Sequence, residues 1–516
     1  MSIRTSQFFQ NTLGMNLRFT DISIDPREAE DITNLHATTD GSWTSSGIGY
    51  VALNGTAVES GAVVTSLYEY VTLSGVTHII AAANDKLFTF ETGTGIFTEI
   101  DEGLTPNQPF SFVTFNGLLI GCNGADSPKK WDGISDVTDL GGWVPDIVGI
   151  TPGNPSLCST YVNRVILSGD SNNPSMIYLS EQEAPENFTP DGTGDATSAG
   201  AIQVSPGDGQ KITALKSMFL PLTNEEVLII FKERSTFMLT GSDAGTFAIQ
   251  KLSDEFGAVS AQSVVLVGNE LLFMTREGMT AISTATIEGN ITNTFISDKI
   301  LPQINTLNKN LLDGSFAVHL RSRQEVWWVV PDGSALENNL VLVYNYGMQQ
   351  AWSRRSGISA ACGLVSGDSL YTGSYDGFVN EQMRGNTYNG DAIAWTYKSP
   401  FYNLSAPRNR KRVRDIELFI KQLTQMNVTV KTAWDFRRGS SSRQSTTLTV
   451  TPDQSSSVYD IATYGNDDYD VAGLSVLRFT PPGSGQFFQM ELSGGEAGKP
   501  VEIQGWTITA IYGGFE

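Results

Sequence analysis

The 516-residue chain has only three cysteines, three histidines and 17% charged side chains. Cys122, Cys158 and Cys362 are odd in number and far apart, so no disulfide framework is expected; they read as reduced, half-buried small hydrophobes. Too little Glu, Lys and Arg is present to clothe a coiled coil or long helical bundle. No run approaches the roughly 18 consecutive apolar residues of a membrane helix, and no membrane insertion is expected. The opening MSIRTSQFFQNTLGMNLRF lacks the apolar stretch of a secretory signal, so synthesis and assembly in a cytoplasm are expected.

Catalytic signatures are equally scarce. There is no phosphate-binding loop ending in Gly-Lys-Ser/Thr, no His-Glu-x-x-His, no Cys-x-x-Cys and no nucleophile elbow. His78 and His319 sit in apolar strand-like runs, and His36 follows a short helical turn, where structural roles are the simpler reading. The expectation is a non-enzyme without a cofactor.

Positive charge is the scarcest commodity, with 33 Lys and Arg against 55 Asp and Glu and a net charge of −22. Residues 401–516 hold 12 of each sign, so the whole excess lies in 1–400. A surface that acidic does not grip nucleic acid by counterion release.

What is abundant is turn chemistry. Asn-Gly begins at 54, 116, 123 and 389, and Asp-Gly at 40, 132, 191, 208, 313, 332 and 376. These pairs favour the positive-φ backbone of tight hairpins. Between them run short segments rich in Val, Ile, Leu, Phe, Tyr and Thr. They group into units at about 62–100, 109–133, 157–181, 211–250, 261–296, 313–354 and 358–382. Small antiparallel sheets recurring at that spacing make a β-propeller, and six or seven blades fit. The Gly/Thr/Asp/Pro stretch 182–210 reads as a long functional loop. A helix is predicted at 298–312 from the spacing of Ile300, Leu301, Ile304, Leu307 and Leu311. Strands near 414–420, 427–435, 445–451, 474–480, 486–492 and 501–513 predict a separate antiparallel sandwich. The expected fold is all-β: an irregular six- or seven-bladed propeller plus a C-terminal β-sandwich-like domain. Its parts are an N-terminal arm and first strand at 1–45, the propeller at 46–394 and the C-terminal domain at 395–516.

Two basic clusters stand out. Arg408, Arg410, Lys411, Arg412 and Arg414 fall within seven residues and suit contact with phosphate or with the acidic surface of a neighbouring subunit. Arg437, Arg438 and Arg443 lie in a Ser-rich tip. Asp467, Asp468 and Asp470 in GNDDYD are the one acidic cluster that could ligate a metal or serve a glycosidase, against the plainer reading of a surface turn. Asp40-Gly41-Ser42-Trp43-Thr44 matches a glycan-cleaving propeller box only faintly, and once.

Three strings form a set: GMNLRFTDISIDPREAEDITNLHATTDG, with Gly14, Asn16, Pro26, Glu28, Ala29 and Asn34; a strand pair ending in Phe231, Lys232, Glu233 and Ser235; and a string carrying Gly257, Ser263, Val264, Gly268, Asn269, Phe273 and Gly278. At these places the chain resembles the tail nozzle, or packaged-DNA stabilisation, proteins of short-tailed bacteriophages. The likeness covers 14–380 loosely and carries no active site. It implies a virion tail protein, assembled in the host cytoplasm as a homo-hexamer below the portal and adaptor ring and beside tail fibres or spikes. Double-stranded DNA would pass through without sequence recognition, retained until ejection, with the 395–516 domain as the distal tube. Six copies would carry about −130 in one ring, a field that keeps sliding DNA from sticking. The alternative is a propeller-based tail protein that binds or cleaves surface glycan.

Overall fold

The computed structural model describes residues 3–19, 23–91, 94–144, 150–192, 195–220, 224–283, 295–421, 425–436, 444–450 and 474–512. Strands dominate them, and the one α-helix among the described residues is a single turn, Leu301–Ile304. No helix among these residues is long and apolar enough to cross a membrane.

Seven small antiparallel sheets follow one another along the chain, at 64–101, 111–139, 157–203, 212–253, 264–283, 316–356 and 362–382; in this order they are blades 1 to 7. Their turns use the chemistry expected of them. Asn116 and Gly117, at φ 47° and 75°, link Ser111–Phe115 to Leu118–Cys122 in a two-residue loop, where only a left-handed backbone matches the strand twist. Neighbouring blades are stitched pairwise around the ring. Tyr68 meets Thr114 (3.1 Å), Cys158 N donates to Ser111 Oγ (3.2 Å), and Val162 N donates to Glu226 (3.1 Å). Phe231 packs on Phe273 with centroids 4.8 Å apart, Trp327 shares a core with Leu370, and Ser366 donates to Glu69 (2.8 Å). That last bond joins blade 7 to blade 1. The ring is also locked by sequence order reversed in space: Tyr50–Ala52, which precedes blade 1, pairs with Val379–Gln382 as the outer strand of blade 7. The molecule is thus a seven-bladed propeller closed by a strand from ahead of its first blade.

The sandwich draws strands from both ends of the chain. One sheet runs His36–Ala37, Trp43–Thr44, Glu502–Tyr512, Lys411–Lys421, Leu474–Phe479, with Ile3–Phe9 also on Glu502–Tyr512. The other continues blade 6: after Ala351–Ser356 come Asp31–Thr33, Trp395–Lys398, Phe488–Gly494, Met426–Trp434 and Gln444–Val450. Alternation fixes which face is inside. Val413, Ile416, Leu418 and Ile420 are buried against Val428, Val430, Met490 and Leu492, with Trp506 between. The same apolar core runs on to Trp328 and Trp352 of blade 6. The segment 1–45, expected as an arm with a first strand, therefore supplies strands to both sandwich sheets.

The predicted helix at 298–312 is broken up. The chain makes a 3-10 turn at Asp298–Ile300, the Leu301–Ile304 turn and another 3-10 turn at Leu312–Gly314. Ile300, Ile304 and Leu307 are buried as the periodicity requires. Blade 6 captures the backbone that would have continued the helix: Asn308 N donates to Pro331 O (2.9 Å) and Gly333 N to Thr306 O (3.0 Å). An isolated helix of this length has too little cooperativity to resist that competition.

The three cysteines are free and buried, deeper than the half-buried positions expected of them. Burial pushes the Cys362 thiol up to about 12, and Cys362 donates to Val64 O (3.2 Å) across the ring closure.

Candidate functional site

Three places gather unusual chemistry, the first being the seam between propeller and sandwich. Pro26 starts the acidic turn by fixing its backbone, and the turn fans its carboxylates onto three separate elements. Glu28 meets Lys299 after blade 5 (3.2 Å), Glu30 meets Lys398 of the sandwich (2.6 Å) and Asp31 meets Arg354 of blade 6 (2.9 Å). Glu28 also accepts from Asn16 (2.8 Å). Gly14, at φ +73°, brings its backbone so close that a Cβ would stand 2.6 Å from Trp352 N; Met15 N then donates to Trp352 O (2.8 Å). Asn34 Nδ2 donates to Ala394 O (2.7 Å) while its Oδ1 accepts from Ser356 N (2.9 Å). The matching places Gly14, Asn16, Pro26, Glu28, Ala29 and Asn34 of the first resemblance string thus lie in or beside this seam.

The second place is the outer face of the Lys411–Lys421 sheet. A β-bulge at Arg414 shifts the register between Val413 and Asp415, leaving both Arg412 and Arg414 exposed. Arg412 lies opposite Ile511, which lies opposite Arg4 on its other side, so two guanidiniums share one row. Arg408 is exposed nearby, and Arg410 is held by Ser484 (Nε to Oγ, 2.9 Å). Lys411 is different from what the cluster suggests. It is buried, its Nζ donating to the carbonyls of Ala406, Asn409 and Gln486, and burial holds its pKa below the ordinary ammonium range. It fastens a loop and offers no charge to a partner. Farther along the same face, exposed Phe8 packs on Phe419 (5.9 Å) over Gly505, beside exposed Val476 and Leu474. A cleft of about 400 Å³ opens next to it, lined by Phe8, Phe9, Gln10, Arg27, Tyr402 and Leu404. Arg4 was missed from sequence; the alternation of exposed positions 4, 6 and 8 with half-buried 5, 7 and 9 was the available signal. Arg437, Arg438 and Arg443 lie outside the described residues, as do Asp467, Asp468 and Asp470.

The third place is the propeller bore. The seven innermost strands, from Val64–Val71 to Cys362–Ser366, contain one acid, Glu69, one base, Lys216, and one histidine, His319. Lys216 is solvent-exposed, yet desolvation lowers its pKa, as expected of a group surrounded by protein in a narrow channel. The chain's acidic excess is therefore not on the strands of the bore. His319 meets Tyr346 (3.0 Å) and His78 meets Thr89 (3.2 Å), and burial lowers the pKa of both rings.

The long loop in 182–210 is anchored. Arg164, fully buried, donates from Nη1 to the carbonyls of Ser180, Thr197 and Ser198 and from Nη2 to Ala196 (2.7–3.0 Å). Gly200–Gln203 then closes blade 3 as its outer strand. Charge-assisted bonds of this kind are strong, so Arg164→Met is expected to raise the rate of limited proteolysis within 182–199 at least about tenfold. An unchanged cleavage rate would show that the arginine does not hold the loop.

The fold and these sites define an all-β protein in which a seven-bladed propeller is fused to a two-sheet sandwich. No family model matches the chain, and no curated protein matches its sequence. Among solved structures, the computationally designed Ika8 protein is similar over 64% of this chain and 99% of its own, at 11% identity and TM-score 0.39. A chain of the Mitotic Checkpoint Complex is similar over 64% and 96%, at 11% and 0.39.

Proposed function

We propose that this protein is a structural subunit of a short-tailed phage tail, a nozzle ring that extends the DNA channel, retains the packaged genome and guides its ejection. The observation that carries the reading is the role shared by Gly14, Asn16, Glu28, Ala29 and Asn34. These residues of the resemblance string weld propeller to sandwich, as a wall that must bear internal pressure requires. Charge fits as well. The innermost strands are nearly neutral and 1–400 carries the whole −22, so the conduit in this reading is formed between six copies, whose outer propeller surfaces supply the repelling field. The Arg4, Arg408, Arg412 and Arg414 face then meets the acidic propeller surface of the next copy or the adaptor ring.

Charge reversal tests this. Particles carrying Arg408→Glu, Arg412→Glu and Arg414→Glu together should lose at least about tenfold in DNA-filled yield, since like-charge contact costs several kcal/mol at an interface. The isolated subunit should fold normally, because all three side chains are exposed. Full DNA retention would overturn the assignment of this face.

A further inference from the structure

We infer that the seam between blades 6 and 7 binds one small monovalent anion, of the chloride type, between the guanidiniums of Arg355 and Arg323. Arg355 belongs to Ala351–Ser356 and is 0% exposed. Its guanidinium lies over the Trp327 ring, 4.2 Å from the centroid, and Nη1 is 3.4 Å from Met383 Sδ. Among the described residues its Nε and Nη2 find no acceptor, and neither does the buried Nη1 of Arg323. The carboxylate of the cluster, Glu325, is itself buried and accepts from Trp327 Nε1 (3.0 Å). Among the described residues no carboxylate lies in ion-pair range of either guanidinium.

Two guanidiniums and one carboxylate leave one positive charge uncompensated inside an apolar seam that includes Ile48, Val329, Val341 and Tyr388. An arginine does not escape by deprotonating, and burying it with idle donors is costly. His36 adds no charge: burial first, then the positive charges of Arg355 and Arg323, hold its ring well below the usual imidazole range. Three donors from two cations suit a monatomic anion better than a phosphate, whose several charged oxygens would outnumber them. Arg323 is half-buried and so gives the ion a route in from solvent. The seam is also where Tyr50–Ala52 closes the ring, so the ion would tighten that closure. This inference is independent of the tail reading.

The probe is bromide. Crystals of the full chain grown in sodium bromide should give an anomalous peak within hydrogen-bond distance of Arg355 and Arg323. In parallel, the thermal midpoint should be about 2–5 °C higher in sodium chloride than in sodium gluconate of equal ionic strength, at saturating halide. Arg323→Gln, at a half-buried position, should abolish that difference. Density for water alone at the guanidiniums would overturn the proposal. A bromide peak without any chloride-dependent midpoint would mean an adventitious ion only, and would overturn it too.

Discussion

Gly257→Ala is expected to destabilise the propeller by about 3 kcal/mol or more. A Cβ at that position would stand 1.9 Å from Lys232 O and 2.7 Å from Arg234 N, both backbone atoms that no rotamer change can move. The overlap lies where Lys232, itself buried, reaches from blade 4 to Asp208 (2.7 Å) and Ser175 (3.1 Å) of the blade 3 side. Forcing the backbone apart therefore loosens two blade junctions at once. Gly268 provides the control. It sits in the turn between Val264–Val267 and Glu270–Met274 at φ +60° with open space around it, so Gly268→Ala should cost only about 1 kcal/mol of backbone strain. Denaturant unfolding followed by tryptophan fluorescence separates the two. Equal effects would contradict the steric account of Gly257.

The second large effect is expected at the seam. Glu30→Gln leaves the Lys398 ammonium, at 17% side-chain exposure, without its carboxylate. Breaking a pair this buried costs about 3–5 kcal/mol, because the remaining charge is desolvated and uncompensated. Glu30→Gln with Lys398→Met should recover much of the loss, since removing both charges also removes the desolvation penalty. Hydrogen exchange at 395–398 and 31–33, the paired strands on either side, reads the result locally. A single variant as stable as the parent, or a double variant worse than the sum of the singles, would contradict the ionic account of the seam.

Much of the fold was legible because it is local. Turn dipeptides and strand-length apolar runs marked each hairpin, and 9 of the 11 Asn-Gly and Asp-Gly glycines do adopt positive φ. What stayed hidden was pairing between distant segments. Nothing in the string IRTSQFF announces a partner at 506–512, and the three-residue strand Asp31–Thr33 is too short for any periodicity to show. The helix at 298–312 failed because its burial pattern is real while its hydrogen bonds go elsewhere. At the candidate sites the sequence exposed charge runs and concealed single buried charges. Arg164 stands before the apolar run Val165-Ile166-Leu167, and Lys232 and Arg355 sit in short polar strings beside Glu233 and Arg354; nothing in any of these contexts marks a basic side chain as satisfied by backbone carbonyls or left idle. Lys411 shows the converse, a member of a conspicuous run whose position in the pleat turns it inward.

The tail reading is tested most directly by immunogold electron microscopy of intact particles with antibody against the sandwich domain. The account predicts label at the far end of a short tail, on the axis, in every DNA-filled particle. Label on lateral fibres or spikes, or none on the tail axis, would contradict the conduit role and favour a glycan-binding one.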